Sequence, residues 1–502
     1  MTIASEDQAA RAALKAGKPA LVWRRQLADL DTPVAAALKL IEPGRGDFLL
    51  ESVEGGATRG RYTLLGLAPD LVFRANEALA EVNIRWMQDR EAFEPCPGDP
   101  LTSLRDLVQS CRMDVPEGLP SALACLVGYF AYETIGLVEK LPRPQPNPLA
   151  LPDMLFVRPT LILVFDRLAD TLFLVAPVWP GSGSVDDVIG SAIERIEAAA
   201  ARLAAPLPAP SRREWVGQVV PQPVLPAGRY REMVLRAKDY IAAGDIFQVV
   251  LAQRFTAPFT LPPLDLYRAL RRVNPSPFLY YLDLPGFAVI GSSPEILVRT
   301  RDGEVTIRPI AGTRPRGRTE AEDAANRDSL LADAKERAEH LMLLDLGRND
   351  VGRVAAPGTV EVTDSYTIEK YSHVMHIVSN VVGKLRDDRD AIDALLAGFP
   401  AGTVSGAPKV RACEIIAELE PETRGAYAGG VGYFSPNGSM DSCIVLRTAV
   451  VKDGVMHVQA GAGIVADSDP DYEQRECEAK ARALIAAANE AVARAGDPQF
   501  GQ

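Results

Sequence analysis

Two short segments of the sequence carry pairs of glutamates spaced three residues apart. Glu336 and Glu339 form the first pair, Glu473 and Glu476 form the second, and Lys480 follows one helical turn later. Residues three apart share one face of a helix, so two such pairs facing each other would offer the oxygen ligands that suit Mg²⁺. The same spacing is common on solvated helix faces with ordinary ion pairs, and by itself it favours that interpretation.

Two further patterns resemble known binding motifs but predict something else. His373 and His376 could be read as a metal pair, yet 374–383 is rich in valine and isoleucine and predicts a strand. Residues three apart on a strand point to opposite faces, so a shared ion is not expected. The run 461–466 fits a dinucleotide-binding glycine pattern, but no second strand with an acidic ribose partner follows it. Its glycines instead indicate close backbone approach to an anion such as a carboxylate.

The elements that must position these residues fall into two segments. Six prolines lie within 204–228 and predict an extended linker. A helix that starts after Ser184 precedes the linker, and a second helix, over 230–241, follows it. The sequence therefore predicts an N-terminal domain over 1–203 and a second domain over 229–490.

Hairpin signals indicate the fold class. Residues 160–165 and 171–175 flank a short polar turn, and 427–434 and 442–451 flank Pro436-Asn437-Gly438. Strands joined by hairpins, with helices in separate runs, predict an α+β fold rather than alternating parallel units.

Composition limits the partners that we expect. The chain has 502 residues with 66 acidic and 54 basic side chains, a net charge of −12, which argues against nucleic acid or an anionic membrane as partner. We expect neither a signal peptide nor a membrane span, because no apolar run is long enough. The six cysteines are scattered, which predicts reduced thiols and a cytoplasmic protein. None lies in the Gly-x-Cys-x-Gly turn of a glutamine amidotransferase.

Longer motifs make the prediction specific, and together they resemble the chorismate-utilising enzymes. They occur in the order typical of that family and, with the run 461–480, cover the segment 229–490. The motifs are Pro309–Gly317, Asp345–Asp350, Phe399–Lys409 and Asp441–Ile444. The resemblance implies an antiparallel β-sandwich with helices packed outside. It also changes the interpretation of the four glutamates to a metal site.

The resemblance assigns roles to individual residues. It implies that Glu339 and Glu476 bind Mg²⁺ directly, while Glu336 and Glu473 hold metal-bound waters. The ion would clamp the ring carboxylate of chorismate and stabilise charge that shifts toward it as the 4-hydroxyl leaves. His376 matches a histidine that assists pyruvate loss. The other expected contacts are Arg447 and Tyr427 at the enolpyruvyl carboxylate, and Gly312, Thr313, Thr403, Gly461, Ala462, Gly463 and Lys480 around the rest of the substrate.

Two positions distinguish the members of the family. Isochorismate and salicylate synthases resemble one another in a lysine that activates water, and this sequence has Gln248 there. An amide cannot deprotonate water, whereas ammonia is already a nucleophile. Aminodeoxychorismate synthases typically carry a lysine where this chain has Ala311. The pattern favours anthranilate synthase activity, with aminodeoxychorismate synthesis, isochorismate synthesis or a non-catalytic amino-acid-binding subunit as alternatives.

The same resemblance implies partners and a second site. Ammonia would come from a separate glutamine amidotransferase subunit, in a heterodimer or heterotetramer. Leu50, Glu51 and Ser52 resemble half of the tryptophan-binding element of feedback-inhibited members, and the second half is Pro277, Phe278 and Leu279. A site built from both segments can couple an effector to their relative position, so we expect inhibition by L-tryptophan.

Overall fold

The computed structural model describes residues 7–54, 58–120, 122–143, 146–181, 183–208, 217–371 and 374–495. Within these ranges the chain forms 22 strands and 11 α-helices. The strands are β1 Ala20–Leu27, β2 Phe48–Glu54, β3 Thr58–Asn76, β4 Leu79–Asn83, β5 Glu94–Pro95, β6 Leu126–Phe130, β7 Met154–Asp166, β8 Thr171–Val178, β9 Gln222–Pro223, β10 Gln248–Pro258, β11 Phe278–Leu284, β12 Phe287–Ser293, β13 Ile296–Arg301, β14 Glu304–Ile307, β15 Ile310–Pro315, β16 Glu361–Lys370, β17 Val374–Lys384, β18 Gly406–Ala407, β19 Gly430–Phe434, β20 Met440–Ile444, β21 Thr448–Lys452 and β22 Val455–Ile464.

The helices are α1 Asp7–Lys15, α2 Pro33–Leu40, α3 Pro100–Ser110, α4 Val185–Ala204, α5 Arg229–Ala242, α6 Pro263–Val273, α7 Glu320–Ala332, α8 Ala334–Gly352, α9 Ala391–Gly398, α10 Lys409–Leu419 and α11 Pro470–Ala495. Two 3-10 turns, Tyr132–Leu137 and Gly402–Val404, complete the regular structure of the described ranges. None of the helices described is long and apolar enough to cross a bilayer.

Every strand pairing in the described ranges is antiparallel, which confirms the predicted α+β class. One apolar core lies mainly among strands and includes Trp23, Phe48, Tyr129 and Tyr280. Two further cores lie between strands and helices: α4, α6 and α11 cover one, and α5, α8, α9 and α10 cover the other. The helices therefore pack outside the sheet.

The two predicted segments share hydrogen-bonded strands. β2 pairs with β11, and β6 pairs with β19, so strands before and after the proline-rich stretch lie side by side. Within that stretch, Gln222 and Pro223 form the short β9 against β10, while 209–216 lie outside the described residues. The division at 203 and 229 stays a prediction.

Most local elements were predicted correctly, with one exception. Ser184 caps α4 in a reciprocal capping box with Asp187, and the hairpins β7–β8 and β19–β20 are both present. The prediction of a continuous strand over 442–451 is wrong, because Arg447 adopts a φ of +48° and separates β20 from β21. His373 lies outside the described residues.

Candidate active site

A cavity of about 770 Å³ opens between the N-terminal halves of α8 and α11 and the strands β10 and β22. We call it the catalytic cavity. The turn Gly402–Val404 and the connection between β12 and β13 complete its wall. The predicted site residues that line it are Gln248, Glu339, Thr403, Tyr427, Arg447, Gly461, Gly463, Glu473, Glu476 and Lys480.

The two glutamate pairs lie on helices, as predicted, and three of the four side chains, Glu339, Glu473 and Glu476, line this cavity. Glu336 and Glu339 occupy the first turns of α8, whose N-cap Asp333 accepts a hydrogen bond from the Glu336 backbone N–H at 3.2 Å. Burial raises the pKa of Glu339, and the charges of Glu336 and Glu476 raise it further. Burial likewise raises the pKa of Glu473, with a contribution from Glu476. The carboxylates of α8 and α11 therefore repel one another across the cavity, an arrangement that a cation would stabilise.

Basic side chains offset part of this negative charge. Lys480 Nζ lies 2.8 Å from Glu476 Oε1 and donates to the Gly461 carbonyl oxygen at 2.8 Å. Arg314 Nη1 donates to Glu336 Oε1 at 2.9 Å. Among the described residues, no three His, Cys, Asp or Glu side chains converge closely enough to hold a metal ion. Metal binding would need Glu476 to exchange Lys480 for the ion, and these carboxylate oxygens match the preference of Mg²⁺.

Arg447 brings a positive charge to the same cavity. Burial lowers the pKa of its guanidinium, and over the ranges that the structure describes no carboxylate forms an ion pair with it. A half-buried guanidinium without a carboxylate partner is suited to an anionic ligand, which can accept two parallel hydrogen bonds from the planar fork. Tyr427 lies nearby in the cavity wall, with its hydroxyl against the backbone of Gly461.

Glycines in β22 leave room for a ligand. Successive residues of a strand point to opposite faces, so Gly461 and Gly463 face the cavity while the Ala462 side chain is fully buried in the core behind it. A Cβ at Gly463 would lie 2.7 Å from Gln248 Nε2, and one at Gly461 would lie 2.9 Å from the Tyr427 hydroxyl oxygen. Any side chain at these two positions would displace groups of the site, and Ala462 can contribute only its backbone.

His376 lies beside the catalytic cavity, in contact with Gly312 and Thr313. Its Nδ1 is 2.9 Å from the Gly312 carbonyl oxygen and 3.1 Å from Thr313 Oγ1. A carbonyl oxygen only accepts, so Nδ1 carries the proton and Nε2 is the free base of the neutral ring. Burial lowers the pKa of His376, which favours this neutral form. A Cβ at Gly312 would lie 3.0 Å from Glu336 Oε2, so this group adjoins the glutamates of α8.

Glu295 is a candidate functional residue that sequence reasoning missed. It lines the catalytic cavity, is 7% exposed, and accepts a hydrogen bond from Thr403 Oγ1 at 3.2 Å. Burial raises the pKa of Glu295 to about 8, so the side chain is a protonated acid at neutral pH. A signal was available, since Glu295 is the single charged residue in the apolar run 287–298.

A second cavity, of about 580 Å³, lies along the strand pair β2–β11, and we call it the strand-pair cavity. Phe278 is opposite Ser52 and Leu279 is opposite Glu51 in this pair. Within the structure, the Glu51 carboxylate is bound by Tyr267 at 2.6 Å and by Arg167 and Arg271 at 2.7 Å each, so it holds the wall together. The cavity is lined by all six residues predicted for tryptophan, Leu50, Glu51, Ser52, Pro277, Phe278 and Leu279.

Comparison with known proteins gives a consistent result. Residues 57–486 match the family described as chorismate binding enzyme. The anthranilate synthase component 1 of Cereibacter sphaeroides is 53% identical over 95% of this chain and 96% of its own length. The protein of the same name from Thermus thermophilus is 48% identical over 93% of this chain and 97% of its own length.

Solved structures agree with the sequence relatives. The structure of anthranilate synthase component I from Streptococcus pneumoniae superposes with a TM-score of 0.76 at 35% identity, over 92% of this chain and 99% of that one. The menaquinone-specific isochorismate synthase of Escherichia coli shares the fold, with a TM-score of 0.70 at 21% identity.

Proposed function

The chain belongs to the chorismate binding enzymes, and we propose that it aminates chorismate and eliminates pyruvate to give anthranilate, with Mg²⁺ as cofactor. Because its relatives are named anthranilate synthase component 1 and its family binds chorismate, the chain is an anthranilate synthase enzyme that acts on chorismate. The observation that carries the proposal is a single cavity lined by Glu339, Glu473 and Glu476 and by Arg447, whose guanidinium has no carboxylate partner among the residues that the structure describes. Chorismate has two carboxylates, so one would bind Arg447 while the other needs a cation among the glutamates.

The donor set fits Mg²⁺ in chemical type. Glu339 and Glu476 would bind the ion, and Glu336 and Glu473 would hold its waters, because a hard divalent ion prefers carboxylate oxygens and retains water. When bound, the ion would neutralise the ring carboxylate and stabilise the charge that develops on it. Burial raises the pKa of Glu339, and the charges of Glu336 and Glu476 raise it further. Binding of a cation would offset both effects, which supports this proposal.

We assign the proton transfers of the reaction to two groups of the protein. Glu295 can protonate the departing 4-hydroxyl, because it carries a proton at neutral pH and Thr403 orients it. His376 has its Nε2 free as a base, and loss of pyruvate requires a ring proton to be removed as the product becomes aromatic. Acid–base assistance of this kind typically contributes about 10²–10⁴-fold.

Ammonia is the nucleophile that the site favours. Gln248 is 6% exposed at the cavity wall, and its amide can form hydrogen bonds but cannot remove a proton from water. A protein named component 1 implies a partner component, and we propose that this partner is a glutamine amidotransferase that supplies ammonia within a heterodimer or heterotetramer. We place the assembly in the cytoplasm, where the free cysteines of the chain would stay reduced.

The strand-pair cavity supports a proposal of feedback inhibition by L-tryptophan. Its volume of about 580 Å³ suits an amino acid of that size, and β2 and β11 supply its walls from the two halves of the chain. A ligand there can change the position of one half relative to the other, and the change can reach the catalytic cavity through Pro294, which lines both cavities.

Incubation of the purified chain with chorismate, Mg²⁺ and ammonium salt at high pH tests the proposal. The expected product is anthranilate, detected by its fluorescence, with no formation when Mg²⁺ is chelated. A non-aromatic amine or a hydroxylated product would mean a different member of the family. Absence of any reaction would point to a regulatory subunit.

A further inference from the structure

The catalytic cavity and the strand-pair cavity meet at Pro294, which lines both. Tyr371 lies on the strand-pair side of this meeting point and is 6% exposed. Burial raises the pKa of Tyr371, and the carboxyl groups of Glu369 and, from the catalytic cavity, Glu295 raise it further. Burial lowers the pKa of Arg447, and Tyr371 opposes this effect. Tyr371 is therefore close enough to interact with charged groups of the catalytic cavity, and none of the roles proposed above uses it.

Two charged side chains hold Tyr371 from the side of the strand-pair cavity. The Tyr371 hydroxyl donates to Glu369 Oε2 at 2.7 Å, and Glu369 Oε1 accepts a hydrogen bond from Arg308 Nη2. All three residues line the strand-pair cavity, and the side chains of Arg308 and Glu369 are each 32% exposed. We call Arg308, Glu369 and Tyr371 the tyrosine cluster. A ligand that fills the strand-pair cavity can reach it.

The tyrosine cluster is in direct contact with His376. The rings of Tyr371 and His376 lie with their centroids 5.5 Å apart and their planes at 61°, an edge-to-face arrangement. Glu369 is directly opposite His376 in the β16–β17 pair, so the two side chains project from the same face of the sheet. Burial lowers the pKa of His376, and the charge of Glu369 opposes this effect. A shift of Tyr371 or Glu369 therefore changes both the position and the basicity of His376.

We propose that Tyr371 is a positioning residue for His376 and that, through Glu369 and Arg308, it makes the orientation of this base depend on what occupies the strand-pair cavity. The inference rests on the proposed function, which places an amino acid in that cavity and a proton transfer at His376.

The exposed ion pair of the cluster is the point where a ligand acts. The planar fork of Arg308 binds any carboxylate, so the carboxylate of an amino acid can take the place of Glu369. Glu369 and Tyr371 then lose the partner that fixes them, and His376 loses its ring contact. A ligand shifts such an equilibrium only if it binds the displaced state more tightly, and this new ion pair supplies the difference.

Two variants of nearly unchanged shape test the proposal in the full chain. Tyr371→Phe keeps the ring but removes its bond to Glu369, and Glu369→Gln removes the charge that Arg308 binds. Tyr433→Phe, which removes a hydroxyl from the same cavity outside the cluster, is the matched control. Anthranilate formation is measured with chorismate, Mg²⁺ and ammonium salt, with and without saturating L-tryptophan. Equilibrium dialysis measures the binding of tryptophan separately.

The variants should separate binding from inhibition. Both should bind tryptophan at least as tightly as the parent, because the ligand no longer has to displace the cluster. The ratio of the rates without and with tryptophan should fall about tenfold or more toward 1, since allosteric coupling typically amounts to roughly 5–150-fold. Tyr433→Phe should keep the ratio of the parent. Without tryptophan, kcat of both variants should fall up to about 10²-fold, the cost of a catalytic group misplaced by ~1 Å, with little change in KM for chorismate.

The ring of His376 can be followed directly, because the chain has four histidines. In the NMR spectrum of a ¹⁵N-histidine-labelled chain, the His376 signal is the one that is missing from His376→Asn. L-tryptophan should shift this signal in the parent and leave it in place in Tyr371→Phe. A purely structural role of Tyr371 would not remove this response.

Two results would overturn the inference. Loss of tryptophan binding together with inhibition would make the cluster part of the binding site alone, and unchanged inhibition and kcat in both variants would exclude it from the coupling. A parent chain that forms anthranilate but is not inhibited by tryptophan would refute the proposed regulation and this inference with it. A parent chain that forms no anthranilate would refute the proposed function itself.

Discussion

Thr403 Oγ1 lies 3.2 Å from Glu295 Oε1, although 108 residues separate them in the sequence. The 3-10 turn that carries Thr403 thus presents a hydroxyl to the one buried acid of the catalytic cavity whose pKa is raised to about 8. This contact joins two parts of the cavity wall and fixes the orientation of the acid. It is the basis for assigning the first proton transfer to Glu295.

Glu295→Gln removes the acidic proton and keeps a side chain of the same shape. The glutamine-supported kcat should fall about 10²–10⁴-fold, because the leaving hydroxyl loses its proton donor. The KM for chorismate should change little, and steady-state anthranilate fluorescence measures both constants. Thr403→Ser retains the hydroxyl and is the control, for which we expect near-normal kcat. A normal kcat in Glu295→Gln would exclude this residue as the acid.

The same residue predicts a pH dependence. Glu295 is protonated below a pKa of about 8, so the glutamine-supported kcat should decline as pH rises through about 8. The folded-state pKa lies above the ordinary 4.5, so the contribution of Glu295 to stability is present at low pH and is lost between pH 4.5 and about 8. The melting temperature of Glu295→Gln minus that of the parent should therefore be larger at pH 9 than at pH 5. An equal difference at both pH values would contradict the assignment.

Arg447→Ala should weaken substrate binding without loss of stability. The guanidinium is half-buried and has no carboxylate partner in the described structure, so its removal leaves no opposite charge unpaired. The KM for chorismate should rise roughly 10–100-fold, the loss of a charge-assisted contact worth ~1.5–3 kcal/mol. Arg447→Lys keeps the charge but not the bidentate fork, so its KM for chorismate should lie between those of the parent and of Arg447→Ala. A large drop in melting temperature in Arg447→Ala would indicate a structural role instead.

Glu339→Gln tests the metal site. An amide is a weaker ligand than a carboxylate, so activity at fixed Mg²⁺ should fall on the order of 10–100-fold and recover partly at higher Mg²⁺. Titration of activity with MgCl₂ gives the apparent affinity. Glu478→Gln, an exposed residue of α11 outside the cavity lining, should behave like the parent. An unchanged titration in Glu339→Gln would remove this residue from the metal site.

The sequence predicted those parts of the site that depend on helix periodicity and on motifs. The glutamates at 336, 339, 473 and 476 lie on helices as their spacing indicated, because the period of a helix is a local property. The positions of Arg447 and Glu295 could not be derived in this way. The run 442–451 has the composition of one strand, and nothing in that composition predicts the φ of +48° at Arg447, which separates β20 from β21.

Lys480 shows a second limit of reasoning from sequence. It was predicted as a contact for the substrate, and in the structure it pairs with Glu476, one turn earlier in α11, and with the Gly461 carbonyl oxygen. The spacing of four residues predicts such a pair as readily as it predicts a ligand contact. Which interaction prevails depends on whether a cation occupies the cavity, and this is a property of the complex rather than of the chain.

Phe278→Ala tests the strand-pair cavity. Loss of the aromatic side chain should weaken inhibition by tryptophan roughly 10–100-fold, the effect of ~1.5–3 kcal/mol of apolar contact. The kcat and KM for chorismate without tryptophan should stay close to those of the parent, because Phe278 does not line the catalytic cavity. Inhibition curves at fixed chorismate give the comparison. Ser52→Phe adds a ring to the same cavity and should also weaken inhibition. If both variants left inhibition unchanged, tryptophan would bind elsewhere.

Glu420 and Arg424 form a buried ion pair that supports the catalytic cavity from behind. Arg424 Nη2 lies 2.5 Å from Glu420 Oε1, and the same guanidinium donates to the carbonyl oxygens of Val404 at 2.8 Å and Val250 at 2.7 Å. Glu420→Ala would leave this charge buried without a partner, so the free energy of unfolding should fall ~3–5 kcal/mol. Urea denaturation measures it, with Asp345→Ala, which breaks the exposed pair with Arg348, as control.

The two variants should differ in activity as well as in stability. Asp345→Ala should cost less than ~1 kcal/mol, because exposed ion pairs contribute little. Glu420→Ala should also lower kcat at temperatures where it stays folded, since the carbonyl of Val404 lies next to Thr403 in the turn that orients Glu295. Loss of stability with a normal kcat would show that the turn keeps its position without the buried pair. Equal stability in the two variants would contradict the ion-pair argument itself.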